Sequence, residues 1–314
     1  MKEIVIAQPL GVPEETLQTL FAPLTGQGYH LTLWDKLPEN QEDLGNRISK
    51  ADLAVIANYP LKKEALEKAS SLKYLCIAFT GVDHVDTETC RKKAIAVSNC
   101  AGYSTESVAE LAIGMILSLY RKLAEGAAAA HHGKTGAGLR GIEIKDRTVG
   151  IIGTGAIGYR TAQLAKAFGA KVLGYNRSHN HEDIDYTDLD TLLKTSDIVS
   201  IHLPLTAETR HFMDREKLSL MRKDAILINT ARGGVVDNNA LAEALKKRNI
   251  AGAGIDVFDM EPPLPDDYPL LSAPNTVLTP HVGFDTEEAM KRRAAIVVDN
   301  LESWLDGKQK NKIC

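Results

Sequence analysis

Cysteine is scarce in this chain: 314 residues include only four, Cys76, Cys90, Cys100 and Cys314. They form no CxxC pair and no zinc-type spacing, which excludes a disulfide-built scaffold and a sequence-encoded zinc site. Free thiols in a chain of this size are expected in a reducing cytoplasm, as buried or idle side chains, and no metal is expected. Long apolar runs are missing as well. The longest, residues 111–120, lies between Glu110 and Arg121 and falls well short of the about 20 residues a bilayer span needs, so a soluble protein without membrane association is expected. The opening Met1-Lys2-Glu3-Ile4-Val5-Ile6 runs directly into a strand-like segment. It lacks the basic stretch, apolar run and small-residue cleavage site of an export signal. Neither sign of charge dominates: 37 Lys and Arg stand against 41 Asp and Glu, a net charge of −4. The electrostatic footprint of a dedicated nucleic-acid binder is therefore lacking.

What remains is an ordinary globular composition, 44% apolar and 25% charged, which excludes disorder, collagen and a coiled coil. The length corresponds to roughly two domains at about 150 residues each. Short β-branched runs alternate with helical stretches along almost all of it: residues 4–7, 53–57, 74–78, 95–98, 149–152, 171–175, 198–203, 226–229, 254–258 and 277–278. Several are apolar without alternation, as strands buried on both faces of a parallel sheet are. Between them apolar residues recur at helical spacing, as in Ile157, Leu164, Ala165 and Phe168. The pattern predicts an α/β fold with parallel sheets and right-handed crossovers.

The texture changes near residues 99–103. The most apolar helix follows, at about 104–123, with Glu110 the only charge in its central turns. Residues 126–138 then combine an alanine run with four glycines and the adjacent His131 and His132. An arm or linker is expected there, with both histidines solvated. A new unit begins at Gly141, and the last helical stretch, about 286–305, is expected to pack back on the first half.

Residues 148–152 run into Gly153-Thr-Gly155-Ala156-Ile157-Gly158, then a helix through Phe168 and a strand at 171–175. A lone GxGxxG is weak, but strand, tight turn, helix and second strand are the context a dinucleotide needs. Gly153 permits the turn, Gly155 lets backbone approach a pyrophosphate, and Gly158 allows close helix–strand packing. The helix start supplies N–H groups and partial positive charge for the phosphates. NAD sites usually carry an acid after the second strand, yet here the chain reads Asn176-Arg177-Ser178. Without a repelling carboxylate, Arg177 and Ser178 can bind a 2′-phosphate, so NADP(H) is favoured over NAD(H).

Three more segments follow predicted strands, where open α/β sheets place ligands. They carry Arg232 in Asn229-Thr-Ala-Arg232-Gly-Gly, Glu261 in Asp256-Val-Phe-Asp-Met-Glu261-Pro262, and His281 in Leu278-Thr-Pro-His281-Val-Gly283. Singly, each reads as a surface ion-pair member, a loop acid or a loop histidine. Together they are the equipment for reducing a 2-keto acid. A guanidinium grips the carboxylate bidentately, a histidine delivers the proton, and a carboxylate orients that histidine and raises its pKa.

These motifs resemble the D-isomer-specific 2-hydroxyacid dehydrogenase family over essentially the whole chain. Ala78-Phe-Thr80-Gly81-Val82-Asp83-His-Val-Asp86 resembles the family's substrate loop, and Asn99-Cys-Ala-Gly102-Tyr-Ser-Thr-Glu-Ser-Val108-Ala109-Glu110 is similar to the segment that re-enters the cofactor domain. Within that segment, Gly102-Tyr-Ser-Thr before Ser107-Val-Ala-Glu is most similar to glycerate dehydrogenases and hydroxypyruvate or glyoxylate reductases. The resemblance implies two Rossmann-like, doubly wound parallel-sheet domains, one flavodoxin-like and substrate-binding (1–99 plus 284–314), the other dinucleotide-binding (100–283). It implies that Arg232 binds the carboxylate and keto oxygen, His281 is the acid/base, and Glu261 orients His281. It assigns the amides of Thr80, Gly81 and Val82 to the carboxylate and Asp256 to the nicotinamide end. The glycine turn from Gly153 to Gly158, with Asn176, Arg177, Ser178, His202, Leu203, Pro204, Thr209, Thr230, Ala231, Arg232, His281 and Gly283, would line the cofactor. It further implies a cleft closed by domain movement, and a homodimer. The chain departs from the family pattern at Asn176, at Phe284 where the family keeps a small residue, and in the 126–138 arm, which lacks tryptophan.

Two other readings compete with a reductase of hydroxypyruvate or glyoxylate. One is a dinucleotide-sensing corepressor, which would call for a peptide-binding surface and disordered tails. The other is a dehydrogenase for a different substrate, such as D-lactate, phosphoglycerate, formate or phosphite; a phosphorylated one would call for basic residues beside residues 80–82, and none is adjacent.

Overall fold

Parallel pairing accounts for every strand–strand ladder in the computed structural model, which describes residues 2–314. The chain divides into two compact units, one running to Ser104 and resuming at Asp285–Cys314, the other Thr105–Phe284. Their junctions fall five residues and one residue beyond the expected 99/100 and 283/284, because the turn after the fifth strand stays with the first unit.

The first unit holds β1 (Lys2–Ile6), β2 (Tyr29–Leu33), β3 (Leu53–Ile56), β4 (Tyr74–Ile77) and β5 (Ala96–Asn99), in the order β2-β1-β3-β4-β5. Its helices are α1 (Glu14–Gly26), α2 (Gln41–Ile48), α3 (Lys63–Lys68) and α4 (Thr87–Lys92). The central strands β3 and β4 read Leu-Ala-Val-Ile and Tyr-Leu-Cys-Ile and are buried at every position. The fully buried Gln8 follows β1, and its Oε1 accepts the N–H groups of Ala57 and Tyr59, both at 3.0 Å. That one side chain ties the ends of β1 and β3.

The second unit opens with α5 (Thr105–Arg121) and α6 (Leu123–His131). Its sheet then collects β6 (Thr148–Ile152), β7 (Lys171–Tyr175), β8 (Asp185–Tyr186), β9 (Ile198–Ile201), β10 (Ile226–Asn229), β11 (Gly252–Ile255) and β12 (Thr276–Leu278). Between them lie α7 (Ala156–Ala167), α8 (Leu189–Thr195), α9 (Arg215–Leu220) and α10 (Asn238–Lys246). The strand order is β12-β11-β10-β9-β6-β7-β8. The chain runs outward from β6 to β8 and then returns to the other side of β6 at β9. The ends of β6 and β9 therefore flank a topological switch point, where doubly wound sheets bind ligands.

The helix α11 (Glu287–Leu305) belongs to the first unit; Trp304 stacks on Tyr74 at 5.0 Å and Asn300 Nδ2 donates to Asn99 O at 2.8 Å. Thr286 caps its start by accepting the Ala289 N–H.

Three expected elements are corrected. Residues 126–138 are not all linker, because α6 covers Leu123–His131; four consecutive alanines outweigh one glycine, although no residue of α6 is buried. Lys122, at φ +50°, separates α6 from α5. The strand expected at 254–258 lies at Gly252–Ile255, since its first residues are glycine and alanine, which carry no β-branched signal. The strand expected through residue 203 stops at Ile201, two residues before Leu203 and three before Pro204. Two edge strands carried no expectation. In β2, Tyr-His-Leu-Thr-Leu interleaves polar residues, and β8 has only two residues. No helix among the described residues is long and apolar enough to cross a membrane.

His202, just after β9, couples this sheet to pH. Its Nε2 lies 2.9 Å from Ser200 Oγ, while its Nδ1 is buried with no hydrogen-bond partner. Burial pushes its pKa down to about 4. An unfolded chain takes up this proton near pH 6.5, which the folded protein refuses until about pH 4. The contribution is therefore complete above pH 6.5 and shrinks as pH falls through that window, by roughly 2 kcal/mol at pH 4.5. Urea unfolding of wild type and His202→Gln at pH 7 and pH 4.5 should show the variant losing roughly 2 kcal/mol less on acidification. Equal losses in the two proteins would disprove the assignment.

Candidate active site

The turn after β6 meets the demands of a phosphate loop on steric grounds. Gly153 sits at φ +93°, a conformation side chains disfavour, and its N–H donates to Tyr175 O at 2.8 Å. A Cβ on Gly158 would lie 1.9 Å from Gly153 O, so only glycine lets α7 start this close to the strand. A Cβ on Gly155 would meet nothing within 4 Å, which leaves its backbone open to a ligand. Ala156 and Ile157 form the first turn of α7, where main-chain N–H groups lack helical acceptors.

Across the switch point, His202 N donates to Ile152 O at 2.7 Å, and Leu203 Cδ2 approaches the Gly153 Cβ position at 3.1 Å. At two adjacent strand ends lie buried polar atoms without a protein partner, His202 Nδ1 and Thr230 Oγ1. Unpaired buried polar atoms are costly and call for an occupant. Open glycine backbone, a helix start and two orphaned polar atoms together fit a dinucleotide. Thr209 is engaged by the local backbone. Its hydroxyl donates to Pro204 O at 2.6 Å and accepts the Thr206 N–H at 2.7 Å, which closes the turn beyond β9.

Beyond β7, Asn176 Nδ2 donates to Ser178 O at 2.9 Å, and Arg177 and Ser178 are exposed. Glu208 is held below the usual carboxylate range by the Thr206 hydroxyl first, then by its own backbone, with a smaller pull from Arg177.

The chemistry-bearing residues follow three adjacent strands. After β10, the fully buried Asn229 accepts the Ala231 N–H at 3.1 Å and donates to Arg232 O at 3.0 Å, folding Thr230-Ala231-Arg232 back on itself. Arg232 is half-buried and donates from Nη1 to Ala231 O at 2.8 Å. A Cβ on the next residue, Gly233, would fall 1.8 Å from the Phe258 carbonyl carbon, so this loop lies directly on the one after β11.

After β11 comes Asp256, 1% exposed, and after β12 comes His281. Asp256 Oδ1 accepts from the Thr279 hydroxyl at 2.5 Å and Val282 N at 2.9 Å, and Oδ2 accepts from Gly283 N at 2.9 Å. Its backbone oxygen accepts His281 N at 2.8 Å. The carboxylate expected at the nicotinamide end also braces the His281 loop. His281 itself adopts φ +57°, a left-handed conformation rare for a residue with a Cβ. Its Nδ1 lies 3.0 Å from both oxygens of Glu261, an orienting pair expected from the sequence. The His281 side chain is 13% exposed and that of Glu261 62%. A carboxylate at Nδ1 fixes the hydrogen there and leaves proton exchange to Nε2. Phe284 meets the His281 ring edge-on at 5.4 Å.

In the first unit, Thr80, Gly81 and Val82 follow β4 and are half-exposed. Thr80 O accepts Asn99 Nδ2 at 2.7 Å, and Thr80 Oγ1 is a third buried polar atom without a partner. Sequence patterns alone missed Asn229 as the organiser of the Arg232 turn and Ser200 as the partner of His202. A buried polar residue at a strand's last position, as in Ile-Leu-Ile-Asn229, was the available signal.

Residues 113–283 match the family model described as D-isomer specific 2-hydroxyacid dehydrogenase, NAD binding domain. The chain is 39% identical over 277 residues to a D-3-phosphoglycerate dehydrogenase of Methanocaldococcus jannaschii, a match covering 85% of this chain but only 52% of that protein's length. It is 40% identical to a glyoxylate reductase of Thermofilum pendens, covering 86% of this chain and 83% of the relative. A hydroxypyruvate reductase of Thermotoga maritima is 38% identical, with 83% and 87% covered. Among solved structures, an acyclic imino acid reductase in complex with NADPH and D-Arg superposes with a TM-score of 0.90 at 33% identity, covering 99% of this chain and 100% of that one. The family model spans more than half of the sequence, and several relatives match almost end to end: the chain belongs to the D-isomer specific 2-hydroxyacid dehydrogenase family, nicotinamide-dependent oxidoreductases acting on the CH–OH group of 2-hydroxy acids.

Proposed function

We propose that the protein reduces a small 2-keto acid, hydroxypyruvate or glyoxylate, to D-glycerate or glycolate, with NADPH preferred over NADH. The observation that carries this reading is the His281–Glu261 pair at 3.0 Å, on the same sheet edge as the Arg232 turn, with β11 between their strands β12 and β10. Bound nicotinamide supplies the hydride. Arg232 holds the substrate carboxylate and faces the keto oxygen with donors in a planar fork. His281, donating from Nδ1 to Glu261, gives its Nε2 proton to the oxygen as negative charge develops there. Asp256 keeps the imidazole in place by fixing the backbone on both sides of it. Thr80, Gly81 and Val82 are proposed to lend N–H groups to the carboxylate.

Substrate size is argued from Phe284, whose ring stands against His281 and leaves little room for a bulky third substituent. No lysine or arginine occurs in residues 78–86, which favours an unphosphorylated acid over phosphoglycerate. Glyoxylate and hydroxypyruvate reductases among the relatives support the same class. NADPH rests on the missing acid at Asn176 and on exposed Arg177 and Ser178. A cytoplasmic homodimer is part of the proposal; α6, with no buried residue, is the helix a second copy would cover.

The direct test is nicotinamide oxidation by purified protein with hydroxypyruvate, glyoxylate, pyruvate and phenylpyruvate, each with NADPH and NADH. Fastest turnover of hydroxypyruvate or glyoxylate with NADPH is expected; turnover with NADH alone would overturn the cofactor choice, and none with any pair would overturn the reductase. His281→Ala should lower kcat about 10²–10⁴-fold with the Kd for NADPH little changed. Full turnover in that variant would remove His281 from the mechanism. Arg232→Lys keeps the charge but not the planar fork, and should lower kcat/KM for the keto acid roughly tenfold to a hundredfold. An unchanged kcat/KM would exclude bidentate binding by Arg232.

A further inference from the structure

The loop that would read the cofactor's 2′ position is fastened by contacts that none of the roles above uses. The His181 imidazole lies flat on the Tyr159 ring, with centroids 3.7 Å apart and planes 4° from parallel. The His179 imidazole lies on the Tyr186 ring in the same way, at 4.1 Å and 6°. Tyr159 belongs to the first turn of α7 and Tyr186 to β8, so each imidazole of the loop docks on a framework ring.

Both contacts converge on one residue of the phosphate turn. Thr154, 2% exposed and set between Gly153 and Gly155, accepts from His181 Nε2 on its carbonyl at 3.1 Å. Its hydroxyl shares a hydrogen bond with the Tyr186 hydroxyl at 2.9 Å. Within the loop, Asn176 Nδ2 donates to Ser178 O at 2.9 Å and Asn180 Nδ2 to Ser178 Oγ at 3.3 Å. A turn that receives pyrophosphate and a loop that meets the ribose are thereby tied through Thr154.

We propose that Tyr159 and His181 are positioning residues for cofactor choice: their stack holds the 176–181 loop in the form that presents Arg177 and Ser178 to a 2′-phosphate. The reason is pre-organisation. Arg177 through Asn180 are exposed, and an exposed loop without such ties would have to be ordered by the phosphate itself, which weakens binding. With the loop already docked, the charge-assisted hydrogen bonds to the phosphate are realised in full. The 5′-phosphate would be met by main-chain N–H groups of the glycine turn and the α7 start, which neither stacked side chain supplies, so the stack bears chiefly on the 2′ end. This proposal rests on the NADPH reading, and its test separates the two.

The probes are 2′,5′-ADP and 5′-AMP, titrated calorimetrically into the full chain as wild type, His181→Ala, Tyr159→Ala and Tyr159→Phe, with thermal melts confirming that each is folded. Wild type should bind 2′,5′-ADP more tightly than 5′-AMP. Each alanine variant should lose about tenfold in affinity for 2′,5′-ADP and less than about twofold for 5′-AMP. Tyr159→Phe, which keeps the ring and removes the hydroxyl, should retain wild-type discrimination. Alanine variants that keep the preference for 2′,5′-ADP, or that lose both ligands equally, would overturn the clamp while leaving the NADPH reading intact. A wild type that binds both probes equally would overturn the NADPH reading itself, and the clamp's purpose with it.

Discussion

The carboxylate of Asp256 is the point on which the catalytic end of the second sheet depends. It accepts two backbone N–H groups from the His281 loop and the Thr279 hydroxyl, while the residue's own N–H donates to Asn229 O at 3.0 Å. Three neighbouring strands are joined through one residue. Remove the carboxylate and Val282 N, Gly283 N and the Thr279 hydroxyl all lose their acceptor, and the buried Gly283 N left unpaired costs about 1–3 kcal/mol. Gly283 is needed for the same closeness, since a Cβ there would stand 2.9 Å from Asp256 Oδ2. The acid thus fixes the geometry of the loop that carries His281.

A second constraint comes from polar atoms that folding buries and does not pair. His202 Nδ1, Thr230 Oγ1 and Thr80 Oγ1 each follow a buried parallel strand, β9, β10 and β4. Interior strands of this kind consist of apolar side chains and saturated backbone, so their ends are the first positions where polar atoms can face a ligand. The neutral imidazole of His202 fits that pattern. Its pKa near 4 keeps it uncharged at neutral pH, so it offers a dipole there, not a titrating charge.

Much of this was legible in the sequence because the signals were local. Non-alternating runs such as Ile198-Val-Ser-Ile201 announce parallel strands, and Gly153-Thr-Gly155-Ala-Ile-Gly158 announces a turn whose sterics the structure reproduces atom by atom. The Arg232, Glu261 and His281 loops were legible as strand ends, and the spacing implied that they share one edge of the sheet. What was not legible depends on contacts distant in sequence. Asp256 acts on residues 23 to 27 positions away, and its sequence environment does not distinguish a brace from a cofactor ligand. The edge strand β2 was obscured because His30 and Thr32 are polar, and both bond to Glu3 on the neighbouring strand. The α6 helix was obscured because a helix with no buried face has no apolar stripe to read.

The conformation of His281 shows which of these features serve chemistry and which serve stability. A non-glycine residue at φ +57° costs roughly 1–2 kcal/mol relative to the right-handed regions. A loop free to relax would abandon it. Here the strain is held by the Asp256 hydrogen bonds on either side, one to His281 N from the backbone oxygen and two to the following residues from the carboxylate. Holding the backbone in that form puts Nδ1 at equal distance, 3.0 Å, from both Glu261 oxygens. A strained histidine, braced by one buried acid and oriented by a second exposed one, is an arrangement that folding alone does not favour. It suits the delivery of a proton from Nε2 along one direction, as proposed for this site.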